Sequence, residues 1–210
     1  MDDFSSTSDT LPHEGKPNHA SQNDIERHPW PPFIPDGARL LIAGTFPPGE
    51  HRRAMEFYYP NRSNDFWKAM GLIFENDVNA YYDPQSRSYD LDKIKRMLTE
   101  RRIALSDTGR AVRRLRGNAS DKYLEIIEPF PLDEILSAMP CCRDVATTGQ
   151  KAAEVLASLT STAVPPMGTS VTSAAGLRLW RMPSTSRAYP LAVDKKAAYY
   201  ASMFAACGIL

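Results

Sequence analysis

Asn64 and Asp65 stand five and six residues after Tyr59, the second of the paired rings Tyr58 and Tyr59, on a stretch that also carries Phe46, Phe57 and Asn61. A carboxamide donates and accepts hydrogen bonds but cannot act as a base, whereas a carboxylate can. Asn64 is therefore a candidate for orienting a water or bonding a ligand's edge, and Asp65 a candidate general base. The rings offer a platform for a flat ligand. Far along the chain, Ser184, Thr185 and Ser186 supply hydroxyls and Arg187 a cation, a set suited to phosphate oxygens. His51 with Arg52 and Arg53, and the run Arg110, Arg113, Arg114 and Arg116 with Lys122, are candidates for meeting a polyanion backbone. Each group has a plainer reading too. Asn64 is a preferred helix N-cap and Asp65 an ordinary first-turn acid. The rings can cover a core, the hydroxyls can close a turn, and the arginine run can be a solvated helix face.

These side chains need elements to position them. Leu40 to Ala43 is a nearly continuous apolar run, as expected of a strand buried on both faces. Gly44 turns the chain at the strand's carboxyl end, and Phe46-Pro47-Pro48 prevents strand or helix from continuing. Ligands of open α/β sheets bind outside the carboxyl ends of the strands, which puts Gly44, Thr45, Phe46 and Pro47 in the candidate site. Further strands are expected over 103–105, 145–148 and 177–181, each running into a loop with Gly, Ser, Thr or Asp. Apolar stripes and caps predict helices over 64–74, 90–102, 131–139, 149–159 and 194–207, the last capped by Asp194 and ended by Gly208. Strands alternating with helices imply an α/β fold, a three-layer α/β/α sandwich on a mostly parallel four-stranded sheet. If the first and fourth strands are adjacent and parallel, Phe46 and Ser184 in the loops after them should flank a common cleft.

Composition narrows the function classes. Lys+Arg and Asp+Glu are both 25, but the charge is unevenly placed. Residues 1–27 hold six acids against Lys16 and Arg27, a net of −4, so the remainder is mildly basic. That first segment has almost no apolar periodicity and reads as a disordered tail, followed by one domain over 28–210. Within it, His28 to Pro35 is a proline-stiffened lead-in whose rings should cover an end of the core. Three cysteines, two of them adjacent, give neither a disulfide framework nor metal-ligand spacing. There is no apolar run able to span a bilayer, no P-loop, no Gly-x-Gly-x-x-Gly and no Gly-x-Ser-x-Gly beside the histidines.

Gly44-Thr45-Phe46-Pro47, Tyr58-Tyr59 and Asn64-Asp65-Phe66-Trp67 together resemble the first signature of the uracil-DNA glycosylase superfamily. The likeness is nearest to its hypoxanthine-DNA-glycosylase-like branch. Met182-Pro183-Ser184-Thr185-Ser186 resembles that branch's second signature, and Thr148-Gly149-Gln150-Lys151-Ala152-Ala153 a strand-to-helix turn between them. The three occur in the family's order, from about His28 to the C-terminus.

The resemblance implies a glycosylase that flips a deaminated base, hypoxanthine or uracil, out of damaged or mismatched DNA and cleaves its N-glycosidic bond with water. It implies Asn64 as the functional amide, with Asp65 second. Gly44, Thr45, Phe46, Pro47, Tyr58, Tyr59, Asn61, Pro183, Ser184, Thr185, Ser186 and Arg187 would hold the substrate. Arg52, Arg53, Arg110, Arg113 and Arg114 would meet the DNA backbone. No metal or other cofactor is implied, and a monomer is expected; the cysteine usage and the lack of a spanning or secretory apolar run are those of a reduced protein of the cytoplasm, not the membrane, associated with the nucleoid. The chain departs from the family at two positions. Phe46 stands where several branches carry a water-activating Asp or Asn, and Met182 where classical uracil enzymes carry His. A catalytically silent relative that binds nucleic acid or a nucleobase, and an unrelated α/β small-molecule enzyme, are the alternative readings.

Overall fold

The computed structural model describes residues 25–115 and 123–210. The first half of the chain forms β1 (Ile25–Arg27), β2 (Leu40–Gly44), α1 (Phe66–Phe74), a small hairpin of β3 (Tyr82–Asp83) and β4 (Ser88–Tyr89), and α2 (Leu91–Glu100). Then come β5 (Ile103–Asp107), β6 (Gly109–Arg114), β7 (Leu124–Pro129), α3 (Leu132–Ser137), β8 (Asp144–Thr148) and α4 (Gln150–Leu159). β9 (Thr169–Thr172), β10 (Arg178–Met182) and α5 (Val193–Ala206) complete it.

The central sheet has the order β5-β2-β8-β10-β9. β5, β2, β8 and β10 are parallel, as expected, and β9 is an antiparallel edge strand beside β10. The sheet therefore has one strand more than the sequence suggests. β9 reads Thr-Ser-Val-Thr and is mostly exposed, so no apolar pattern marks it. β2 lies between two parallel neighbours, and all its side chains are buried. Leu40 and Ile42 face the layer of α1, α2 and α5, while Leu41 and Ala43 face that of α3 and α4. Burying each of the three larger side chains contributes about 1.5–3 kcal/mol, which holds the loop after Gly44 on a rigid base. At the opposite end of the sheet, Asp144 accepts hydrogen bonds from Arg178 Nη2 (3.0 Å), Arg178 Nε and Trp180 Nε1 (2.8 Å), tying β8 to β10 where both begin.

Residues 1–24 lie outside the described residues, and with them most of the expected tail. Its last three residues are a correction, because β1 pairs antiparallel with β6. β7 flanks β6 on the other side and completes a second sheet. The run through Arg110, Arg113 and Arg114 is thus a strand and not a helix face. Two of its three charges are met across the sheet, Arg113 by Glu125 (2.8 Å) and Arg114 by Glu26 (2.7 Å). Arg116 and Lys122 lie outside the described residues.

The helices fall where their stripes predict, with shifted ends. α1 begins at Phe66 instead of Asn64, and Ala192, not Asp194, holds the cap position of α5. Gly208, at φ +66°, ends α5 as expected. The proline-stiffened lead-in runs along the free edge of β5, where Phe33 and Leu105 exchange backbone hydrogen bonds of 2.9 Å. Among the described residues, no helix is long and apolar enough to cross a membrane.

Candidate functional site

β2 delivers Gly44 to the floor of a cavity of about 820 Å³ at the carboxyl ends of the parallel strands. Gly44 is required here by close approach, since a Cβ at this position would collide with Asp107 Oδ1. Asp107 ends the neighbouring strand β5, in register with Gly44. It is 7% exposed, and among the described residues it is the one carboxyl group on the cavity wall. Burial drives its carboxyl above the usual range, and hydrogen bonds from His28 and the Gly44 backbone counter that only in part. His28 Nε2 lies 2.9 Å from Asp107 Oδ2. On the ring's other side, Nδ1 is 3.2 Å from the Trp30 nitrogen and 2.8 Å from the Trp30 carbonyl oxygen, so either tautomer finds a partner. The imidazole also stacks on Tyr58 and meets the edge of Phe46.

Above this floor stand the groups of the first loop. Tyr59 adopts φ +52°, a conformation costly for a bulky residue, and its ring lies flat on Phe66 with centroids 3.8 Å apart. That geometry puts the Tyr59 hydroxyl 3.2 Å from Thr148 Oγ1 at the end of β8, on the cavity wall. Asn64 Oδ1 accepts from the Phe66 N–H at 2.9 Å, so the amide caps α1 from one position further back than a standard N-cap. Its oxygen is thereby used, and its Nδ2 has no partner among the described residues. Asn61 is held alike, its Oδ1 accepting from the Ser63 N–H and hydroxyl, both at 2.9 Å. Each amide is oriented by the backbone and keeps its NH₂ donors.

Asp65 is placed differently. Its side chain faces a neighbouring cavity, and its oxygens take Lys196 Nζ at 2.8 Å and Lys68 Nζ at 3.1 Å. Burial alone would raise its carboxyl, but the bonds from the two ammonium groups outweigh it and hold the group below the usual range. A carboxylate so neutralised is a poor proton acceptor, and its geometry makes it a strut. Lys196, fully buried on α5, also donates to the Ser186 carbonyl at 3.0 Å, while the Asp65 N–H donates to the Thr185 carbonyl at 2.8 Å. The first loop and the Ser184–Ser186 loop are fastened together by these contacts.

Of the residues singled out in the sequence, twelve line the one cavity: Gly44, Thr45, Phe46, Pro47, Arg52, Tyr59, Asn61, Asn64, Ser184, Thr185, Ser186 and Arg187. Phe46 and Ser184 do share a cleft, although β8 separates their strands. Others lie elsewhere. Tyr58 is core, 1% exposed, with its hydroxyl bonded to the Pro31 carbonyl. Pro183 is buried, and its carbonyl accepts from Tyr200. Arg53 bonds the Pro48 carbonyl and covers Trp30, and Arg114 bonds the Pro47 carbonyl and covers Phe46. These two arginines brace the first loop, and their side chains are mostly buried there. Arg110 is exposed but borders a separate cavity, with His28 and Phe130. Asp107, His28 and Lys196 are what the sequence reading missed. For Asp107 a signal exists, since it follows the apolar Ile103-Ala104-Leu105 at a strand end just as Gly44 follows its own run.

No protein-family model and no curated protein matches the chain. Among solved structures, the chain is similar to the solution NMR structure of a protein from Methanosarcina acetivorans described as a "putative Uracil DNA glycosylase". The two share 22% sequence identity over 88% of this chain and 99% of the other, with a TM-score of 0.64. The likeness establishes a common fold.

Proposed function

We propose that this protein is a DNA glycosylase that removes a deaminated base, hypoxanthine or uracil, by attack of water on the sugar C1′. The observation that carries the reading is the convergence of Gly44–Pro47, Asn64, Asp107 and Ser184–Ser186 on one cavity, in a fold shared with a protein whose description names uracil DNA glycosylase. A flipped base needs a ring face, edge readers and a positioned water. Phe46 and Tyr59 supply faces. The Asn64 amide, with its oxygen engaged by Phe66, turns its NH₂ to the ligand and donates to the base carbonyl or to the water. As the water oxygen bonds C1′ and the glycosidic bond breaks, the electron pair leaves on the base nitrogen. Asp107 takes the water's proton, a task that suits a buried carboxyl with an elevated pKa. This assignment places the acceptor on β5 instead of at Phe46. Arg187 and the loop N–H groups balance the charge on the departing base, in place of a histidine at Met182. Asp65 serves as a positioning residue for Asn64. The substrate is damaged or mismatched DNA, met by a monomer in the cytoplasm.

A silent binding protein is the second reading. It is favoured by Met182, which is 1% exposed and lies off the cavity wall. Single-turnover excision from oligonucleotides carrying uracil, hypoxanthine or xanthine, with alkaline cleavage of abasic sites, separates the two. Asn64→Ser keeps a hydroxyl able to bond the Phe66 N–H but removes the carboxamide. The excision rate should fall by roughly 10²–10³-fold, as for loss of one preorganised donor, with the fold intact. An unchanged rate reduces Asn64 to a cap, and no excision of any base by the wild type leaves the binding reading.

A further inference from the structure

Asn64 and Asp65 are consecutive, yet they face different cavities. The second has a volume of about 560 Å³ and lies between the start of α1 and the hairpin of β3 and β4. Ser63 and Arg187 line both, so the two cavities adjoin across the segment 63–65. The wall of the second cavity is tyrosine-rich. Tyr81 and Tyr89 are buried and committed through their hydroxyls to Glu75 (3.2 Å) and the Asn61 carbonyl (3.4 Å). Tyr82 is half-buried and stands edge-on to Tyr89, with centroids 5.8 Å apart. The charge around this wall is positive. Asp65 is matched by Lys68 and Lys196, which leaves one cation in excess. Arg62 and Arg187 are exposed, line the cavity, and form no ion pair among the described residues.

An aromatic wall with cations at the boundary of the neighbouring candidate site fits one class of occupant. Single strands are held by bases on ring faces and phosphates on basic side chains. Neutral apolar ligands have no use for unpaired arginines, and a free anion has none for the rings. We propose that the second cavity takes the nucleotide next in the strand to the one held in the first, with its base against Tyr82 and the linking phosphate between Arg62 and Arg187. The proposal rests on the nucleic-acid reading above and extends it from one nucleotide to two.

The test uses the full chain and single-stranded oligonucleotides whose target nucleotide carries a 2′-fluorinated, cleavage-resistant sugar. One oligonucleotide extends on both sides of the target, one only to the 5′ side and one only to the 3′ side. Affinities are measured by fluorescence anisotropy. Tyr82→Ala should weaken binding about 5- to 150-fold, the range for loss of one base–ring stack, for every oligonucleotide that keeps the flank on one particular side. Affinity for the oligonucleotide lacking that flank should not change. Tyr82→Phe, which keeps the ring face, should bind as wild type does. Arg62→Ala, an exposed change that spares the fold, should weaken the same oligonucleotides and lower their salt slope by about one. Equal effects on all three oligonucleotides, or none, would overturn the second site while leaving the first intact. Failure of the wild type to bind any of them would overturn the nucleic-acid reading and this proposal with it.

Discussion

His28 and Asp107 share one hydrogen bond, but removing either should have a very different cost. Asp107 is 7% exposed, and its Oδ2 is 2.9 Å from His28 Nε2. His28→Ala leaves that oxygen buried without its side-chain donor, and opens a gap between Tyr58 and Phe46, which now hold the imidazole ring. Breaking a buried pair by deleting one partner costs about 3–5 kcal/mol. Because the carboxyl can respond by taking up a proton, the low end, about 3 kcal/mol, is expected. In a chain of this length that corresponds to a Tm lowered by about 6–12 °C. Asp107→Asn keeps the volume and an oxygen for the imidazole N–H. It exchanges a charge-assisted bond for a neutral one, a loss of about 1 kcal/mol, and is relieved of the cost of burying charge. Its net effect at pH 7 should lie within about 1 kcal/mol of wild type.

The assay is thermal unfolding followed by circular dichroism between pH 4 and 8, and its sign is determined by Asp107. A carboxyl whose folded pKa is raised favours the acid form in the folded state. The stability it contributes is complete below the unfolded value of about 3.9 and is lost as pH rises through the folded value. The stability of the wild type relative to Asp107→Asn should therefore decline with rising pH and then level off. A difference that grows with pH, or an Asp107→Asn variant as unstable as His28→Ala, would refute the account of this pair.

Two further outcomes follow from the same loops. Gly44→Ala forces a methyl against the Asp107 carboxylate, so urea unfolding should show a loss of about 1–3 kcal/mol, and Asp107→Gly in the same chain should recover part of it. Lys196→Met removes one of the two ammonium partners of Asp65 and the donor to Ser186; a loss of about 3 kcal/mol is expected, since Lys68 remains. The lowered Asp65 carboxyl contributes stability present above about pH 3.9 and lost as pH falls through its folded value, so this variant should lose less on acidification than wild type does.

The four parallel strands were legible because each is a short apolar run that ends in small polar residues, and the helices because their stripes are regular. β9 lacked any such run. The second sheet was hidden by its charge, since Arg113 and Arg114 resemble a solvated face until Glu125 and Glu26 are known to lie opposite. At the site, Gly44, Asn64 and Ser184 could be read from local pattern, because a turn and a cap leave marks within a few residues. Partnership across the chain leaves none. Asp107 and His28 are 79 positions apart, and Lys196 and Asp65 are 131. A lysine on an amphipathic helix is ordinarily solvated, and only the assembled loops reveal that Lys196 is enclosed.

The anchoring of β8 to β10 through Asp144, Arg178 and Trp180 lies at the far end of the sheet from the cavity. It places one of the framework's fastenings far from the loops that line the cavity. Substitutions in the loops that line the cavity leave this anchor untouched, so their effects on stability should add to those made at the anchor. Descent with altered preference, whether in nature or under laboratory selection, can then proceed by exchanging side chains at one rim while the opposite rim supplies the tolerance those exchanges consume. Strengthening the Asp144 end before diversifying the Asn64 and Ser184 loops is the order of work that this architecture rewards.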